Sequence, residues 1–165
     1  MIGYFDVPLK TMKEVIKMEM CQTLKIVQKQ KQSLTHRRLL KQINLTVITP
    51  EGNCPKCGHE LTEDEIRAGW TTNPIDFTTQ CPSCQTRFEA NLLLTLEGKN
   101  VGTHTYLCKE QLFAELEQSQ RGRSKILGKV FLAKKKPHLL WNLIRHFGTY
   151  EDGLAKFKLA QAAQA

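Results

Sequence analysis

The chain has 165 residues, 41% of them hydrophobic and 7% aromatic, and a formal net charge of +8. No apolar run approaches the ~20 residues of a membrane span, and the opening MIGYFDVPLK lacks the basic-then-apolar order of a secretory signal. The expected setting is the cytoplasm, where paired cysteines serve as metal ligands more often than as disulfides.

The first element is basic. Residues 10–49 carry nine Lys/Arg against two acids, a net +7. Met12, Val15, Ile16, Met20, Leu24 and Val27 recur at helical spacing, with Lys13, Lys17, Lys25, Lys29 and Lys31 mostly off that stripe. SLTHRRLLKQ reads as a second, short helix with Leu39, Leu40 and Ile43 apolar. INLTVIT is β-branched and alternating, a strand ending at Pro50.

Next come two Cys-Pro-x-Cys pairs, Cys54/Cys57 and Cys81/Cys84, separated by twenty-three residues. A two-residue gap lets both thiolates of a tight knuckle face one ion. Two knuckles complete a closed tetrahedral Cys₄ site, the geometry of structural zinc, with no open position for a substrate water. Similar knuckles hold iron in rubredoxin-like sites. The expectation is one structural Zn²⁺ on Cys54, Cys57, Cys81 and Cys84. Between the pairs, LTEDEIRAGW predicts a helix with a Thr62/Glu65 capping box and Gly69 at its end. Trp70 and Phe77 are expected beside the metal site, and TTQCP as a strand entering it.

RFEANLLLTL alternates, so Phe88, Ala90, Leu92, Leu94 and Leu96 are predicted on one face of a single strand. EGKN is a turn and VGTHTYL the returning strand. KEQLFAELEQ predicts a helix with Leu112, Phe113 and Leu116 inward, and SQRGRS a linker. The tail predicts three helices. Ser124 is the expected N-cap of the first. Pro137 opens the second, which carries Leu139, Leu140, Leu143, Ile144 and Phe147 on one stripe and stops at Gly148. Thr149 caps the third, with Tyr150, Leu154 and Phe157 inward and a fraying LAQAAQA end.

The fold class expected is α+β: a Cys₄ zinc ribbon with a β-hairpin, flanked by a basic N-terminal helical segment and a C-terminal trihelical module. The boundaries are 1–42 for the basic segment, 43–118 for the ribbon, hairpin and following helix, and 119–165 for the basic linker and trihelical module.

Two resemblances follow from the quoted residues. EDEIRAGWTTNPIDFTTQCPSC resembles the zinc ribbon near the C-terminus of some DENN-domain exchange factors, and ribbons in small bacterial proteins. It implies a structural zinc site on the same four cysteines and no reaction. LIRHFGTYEDGLAKF is similar to the short helical repeats appended to some homing endonucleases, whose helices contact DNA.

Charge decides which part faces a polyanion. Residues 50–97 carry three Lys/Arg against eight acids, a net −5. A dication on four thiolates adds a further −2. Residues 121–147 carry eight Lys/Arg and no acid. Phosphate contact releases counterions and needs positive charge. The expected nucleic-acid contacts are therefore Arg121, Arg123, Lys125, Lys129, Lys134, Lys135, Lys136 and Arg145, acting mainly on the backbone of DNA or RNA in a regulatory or accessory role. The alternative is an adaptor whose acidic ribbon docks a protein partner without binding nucleic acid. No phosphate loop, nucleophile elbow or Mg²⁺-type carboxylate cluster is present, and His36, His104, His138 and His146 are scattered, so no catalysis is expected. Cys21 and Cys108 read as small packed residues.

Overall fold

The computed structural model describes residues 17–18, 20, 22–28, 37–43, 45–121 and 128–165. Met12, Val15, Ile16, Cys21, Lys29, Lys31, His36, Arg123, Ser124 and Lys125 lie outside the described residues. The chain divides into two compact units, Met1–Ile43 and Asn44–Ala165. In the first, residues 22–28 and 37–43 are helical. Met20, Leu24 and Val27 of the expected stripe are exposed, whereas Ile43 is buried.

The second unit is a mixed α+β structure. Its elements are β1 (Thr46–Glu51), α1 (Glu63–Ala68), β2 (Thr79–Gln80), β3 (Arg87–Phe88), β4 (Asn91–Leu96), β5 (Lys99–Thr105), α2 (Lys109–Gln120), α3 (Lys129–Lys135), α4 (Pro137–Phe147) and α5 (Tyr150–Gln164). β1, β4 and β5 form an antiparallel sheet in the order β1-β4-β5, and β2 and β3 form a separate hairpin. Pro50 sits on β1, an edge strand, where its missing N–H costs no ladder bond. Glu97 and Gly98 both take positive φ, 52° and 76°, which gives the two-residue turn the twist that β4 and β5 share.

RFEANLLLTL is two strands rather than one. Arg87 and Phe88 pair with Gln80 and Thr79 in the ribbon hairpin, whereas Asn91–Leu96 pairs with β1 and β5. The chain changes sheets at Glu89–Ala90. Alternation survives the change, because Ala90, Leu92 and Leu94 are buried, but alternation carries no information about partners. The β4–β5 hairpin thus gains β1 as a third strand.

The caps account for most helix ends. The Thr62 side chain accepts from Glu65 N–H while the Glu65 carboxylate accepts from Thr62 N–H at 2.7 Å. Gly148 ends α4 at φ 83°, and the Thr149 hydroxyl accepts from Asp152 N–H at 3.1 Å to start α5. At α3, which starts at Lys129, the N-cap is Gly128, extended at φ −74° and ψ 149°; the expected cap Ser124 lies outside the described residues. The LAQAAQA end is helical, with α5 running to Gln164. Alanine has the highest helix propensity, and Gln161 Nε2 donates to Gln120 Oε1 of α2 at 3.3 Å.

One apolar cluster runs from ribbon to helices. Cys54, Leu61, Ile66, Cys81, Ala90, Leu92 and Tyr106 are buried together, with Ile48, Trp70, Cys84, Phe88 and Trp141 packed against them. Leu139, Leu140 and Leu143 of α4 are fully buried, each contributing roughly 1.5–3 kcal/mol of transfer free energy. Phe113 of α2 stacks on Phe147 at 5.9 Å and meets Phe157 of α5 at 5.5 Å.

Candidate metal centre

Each knuckle repeats the same backbone bonds. Cys54 O accepts from Gly58 N–H at 2.9 Å, and Cys81 O accepts from Gln85 N–H at 2.9 Å. Gly58 (φ 73°) and Gln85 (φ 60°) both take the left-handed conformation that closes such a loop. Cys54 N–H then donates to His59 O and Cys81 N–H to Thr86 O, each at 2.9 Å. The result is two loops with the same hydrogen-bond pattern, each supplying two cysteine sulfurs.

The four sulfurs converge. Cys54 Sγ lies 3.5 Å from Cys84 Sγ and Cys57 Sγ 3.7 Å from Cys81 Sγ, and all four lie within 4.8 Å of one another. Sulfurs at about 2.3 Å from one tetrahedral ion stand about 3.8 Å apart. The donor set can therefore hold one metal ion with little rearrangement. Cys54 and Cys81 are buried, whereas Cys57 is exposed, so the site opens at one corner to an entering ion.

The groups around the sulfurs favour charged ligands unevenly. The Thr86 hydroxyl and backbone N–H donate to Cys84 and draw its thiol down to about 6. Cys57 accepts from the His59 N–H, which pulls the same way, but desolvation and the neighbouring thiols outweigh it and push Cys57 up to about 11. Four thiols this close resist shedding every proton unless a cation offsets the charge, so metal binding should release protons.

α1 and β2 hold the second knuckle in place. Gly69 ends α1 against β2, where an added Cβ would stand 2.6 Å from Gln80 N and 2.7 Å from Gln80 O. Gln80 N–H donates to Gly69 O at 3.2 Å, and the buried Thr79 hydroxyl donates to Ile66 O at 2.6 Å. Trp70 packs on the cluster containing Cys54 and Cys81 and meets Tyr106 edge-on at 4.9 Å. Phe77 is not part of that cluster; it lines a cavity against β4, β5, α2 and α4.

The basic residues separate. Lys134, Lys135 and Lys136 are exposed at the end of α3. Arg121 is exposed and lies 3.9 Å from Glu117, and Lys129 is half-buried. Arg145 turns inward. Its guanidinium binds both oxygens of Glu63 and donates to Ile48 O at 3.1 Å. Glu63 also accepts from Arg67 Nη2 and from the Tyr106 hydroxyl, each at 2.7 Å. Desolvation works to raise the Glu63 pKa, but the hydrogen bonds from Arg145, Tyr106 and Arg67 win and bring it to about 2. Of the three basic ribbon residues, Arg67 is held by Glu63 and Tyr106, and Arg87 by Thr78 and Asp76. Lys56 is exposed.

Two placements were beyond sequence reasoning. Asn142 is fully buried and ties α4 to the end of β5: its Nδ2 donates to Thr105 O at 2.9 Å and its Oδ1 accepts from Leu107 N–H at 2.8 Å. Its only sequence signal was an amide beside the apolar stripe of α4. His104 and His138, thirty-four residues apart, line one cavity. Cys108 is buried, and desolvation raises its thiol pKa.

No protein-family model, curated protein or solved structure matches the chain. Among the described residues, no helix is long and apolar enough to cross a membrane.

Proposed function

We propose that the chain is a zinc-stabilised nucleic-acid-binding protein in a regulatory or accessory role. The metal is zinc in a structural role, since four thiolates in a closed tetrahedron suit that ion and leave no catalytic position. Lys134, Lys135 and Lys136 make the principal contacts, to phosphates. The observation that carries the reading is the exposure of these three consecutive lysines within a 27-residue region that holds eight Lys/Arg and no acid. Engagement of Arg67 and Arg87 within the fold leaves the acidic ribbon still less able to meet phosphate. Arg145 belongs to the ion-pair network with Glu63 and supports the fold rather than the ligand.

The test is the salt dependence of binding to duplex DNA and to RNA, followed by electrophoretic mobility. Each neutralised phosphate contributes a slope of about −0.9 in log affinity against log salt on duplex DNA. Replacing Lys134, Lys135 and Lys136 with Ala should weaken binding and flatten the slope by about two to three. The loss should be alike across sequences, because backbone contacts carry no base information. Lys56→Ala should change little. A more costly Lys56→Ala would make the ribbon the binding face.

A second reading is an adaptor that docks a basic protein on the ribbon. Glu51, Glu60, Asp64 and Glu89 are exposed there and favour it. Absence of nucleic-acid binding at low salt would leave it as the better account.

A further inference from the structure

Phe77, Glu89, Asn91, His104, Glu115 and His138 line a cavity of 440 Å³ built where the loop before β2, the strands β4 and β5, and the helices α2 and α4 meet. Its volume lies in the lower part of the range for small-molecule sites. Its lining is mixed: one half-buried aromatic ring, two carboxylates, an amide and two imidazoles. His138 Nε2 lies 2.9 Å from Glu115 Oε2, which fixes the orientation of that ring. Burial, with His138 nearby, lowers the His104 pKa, so at neutral pH its ring offers one donor and one acceptor and no charge.

Charge divides the cavity from its surroundings. Its wall carries the half-buried Glu115 and the exposed Glu89, which disfavour a phosphate. Two residues before His138 stands Lys136, the last of the exposed lysine triad; that separation puts its Cα within about 7 Å of the His138 Cα. A ligand with an anionic end and a neutral, planar, donor-bearing end fits this division. We infer that the cavity takes one unpaired nucleobase of a strand whose adjoining phosphates lie on Lys134–Lys136, with the base stacked on Phe77 and its amino group held by Glu89 and Asn91. Aromatic stacking accepts any base, and carboxylates accept from exocyclic amino groups, so bases bearing an amino group are favoured over uracil. The phosphate half of this inference rests on the nucleic-acid reading above; the base half does not.

The experiment has two arms on the full, zinc-loaded chain. In the first, amide chemical shifts are followed during titration with cytidine, adenosine, guanosine and uridine. Saturable shifts confined to residues around 77, 89–91 and 103–105, weakest for uridine and lost in Glu89→Gln and Phe77→Ala, are expected. Glu89 is exposed, so the first variant retains the fold. In the second arm, a cytosine-rich single strand is compared with a duplex of equal length. Phe77→Ala should weaken the single strand by about tenfold or more, the effect of one lost base stack, and leave duplex binding and the salt slope unchanged. No shift in cavity amides with any nucleoside, together with a neutral Phe77→Ala, overturns the inference even if lysine-dependent strand binding persists. Nucleoside binding without strand binding supports the base site and overturns the nucleic-acid reading alone.

Discussion

Glu63 accepts from three side chains, and two of them, Tyr106 and Arg145, are distant in the chain. It lies in the first turn of α1, where a carboxylate already complements the helix dipole. Arg145, eighty-two positions away, then binds it with both of its oxygens engaged. Its pKa near 2 lies below the ordinary 4.5. A depressed carboxyl contributes stability above its unfolded value that disappears as pH falls toward the folded one. The contribution is therefore complete at neutral pH and fades between about 4.5 and 2. Linkage gives an upper bound of about 3 kcal/mol, reduced to about 2 by partial solvent exposure. Glu63→Gln should lower stability at pH 7 by that amount, measured by denaturant unfolding. The gap between the variant and the parent should close as pH falls below 4, and this difference is the readout because acid also protonates the cysteines. A gap that stays constant with pH would show that packing, not charge, holds Glu63 in place.

At the scale of elements, the Asn142 amide joins α4 to the end of β5, while Arg145 of the same helix donates to Ile48 O of β1. Asn142 satisfies Leu107 N–H and Thr105 O where β5 runs into the loop before α2, and also donates to His138 O within its own helix at 2.8 Å. Removing it strands the buried Leu107 N–H and the half-buried Thr105 O, each costing about 1–3 kcal/mol. Asn142→Ala should therefore destabilise the unit by about 3 kcal/mol although alanine is the better helix former. Equilibrium unfolding checks this; a change below 1 kcal/mol would mean that water replaces the amide at both groups. Gly69 follows similar logic on the other side of the ribbon. Its φ of −81° suits any residue, yet the Gln80 backbone fills the space where a Cβ would go.

Across the whole second unit, the metal centre and α4 share one apolar cluster through Trp141, and Arg145 binds Glu63 of α1, the helix between the two knuckles. Loss of the metal should therefore reach beyond the knuckles. Protein purified without added metal should carry one zinc per chain by elemental analysis, and Cys81→Ser should lose it. Chelation should lower the melting temperature by at least ~15 °C, since binding to such sites supplies many kcal/mol of folding free energy. In hydrogen exchange, residues 52–60 and 80–88 should lose protection first and α4 next. Unchanged protection in α4 after chelation would show that the helices stand without the ribbon.

The elements whose signals are local were legible in the sequence. The two Cys-Pro-x-Cys knuckles, the Thr62/Glu65 capping box, the Pro137 start and Gly148 stop of α4, and the Thr149 cap each depend on residues within five positions of one another. Short-range geometry of this kind is set by backbone sterics and by side chains bonding to nearby N–H groups. Composition likewise separated the acidic ribbon from the basic tail. Tertiary structure alone decided the rest. It split one alternating stretch between two sheets, because period-two patterning records burial and not partners. It turned Arg145 from the charged face of a helix into a partner for Glu63, because net charge does not reveal which cations find a carboxylate across the fold. It extended α5 to Gln164 beside α2. And it brought His104, His138 and Phe77 to one cavity, since residues that far apart in the chain meet only once the sheet and helices have packed.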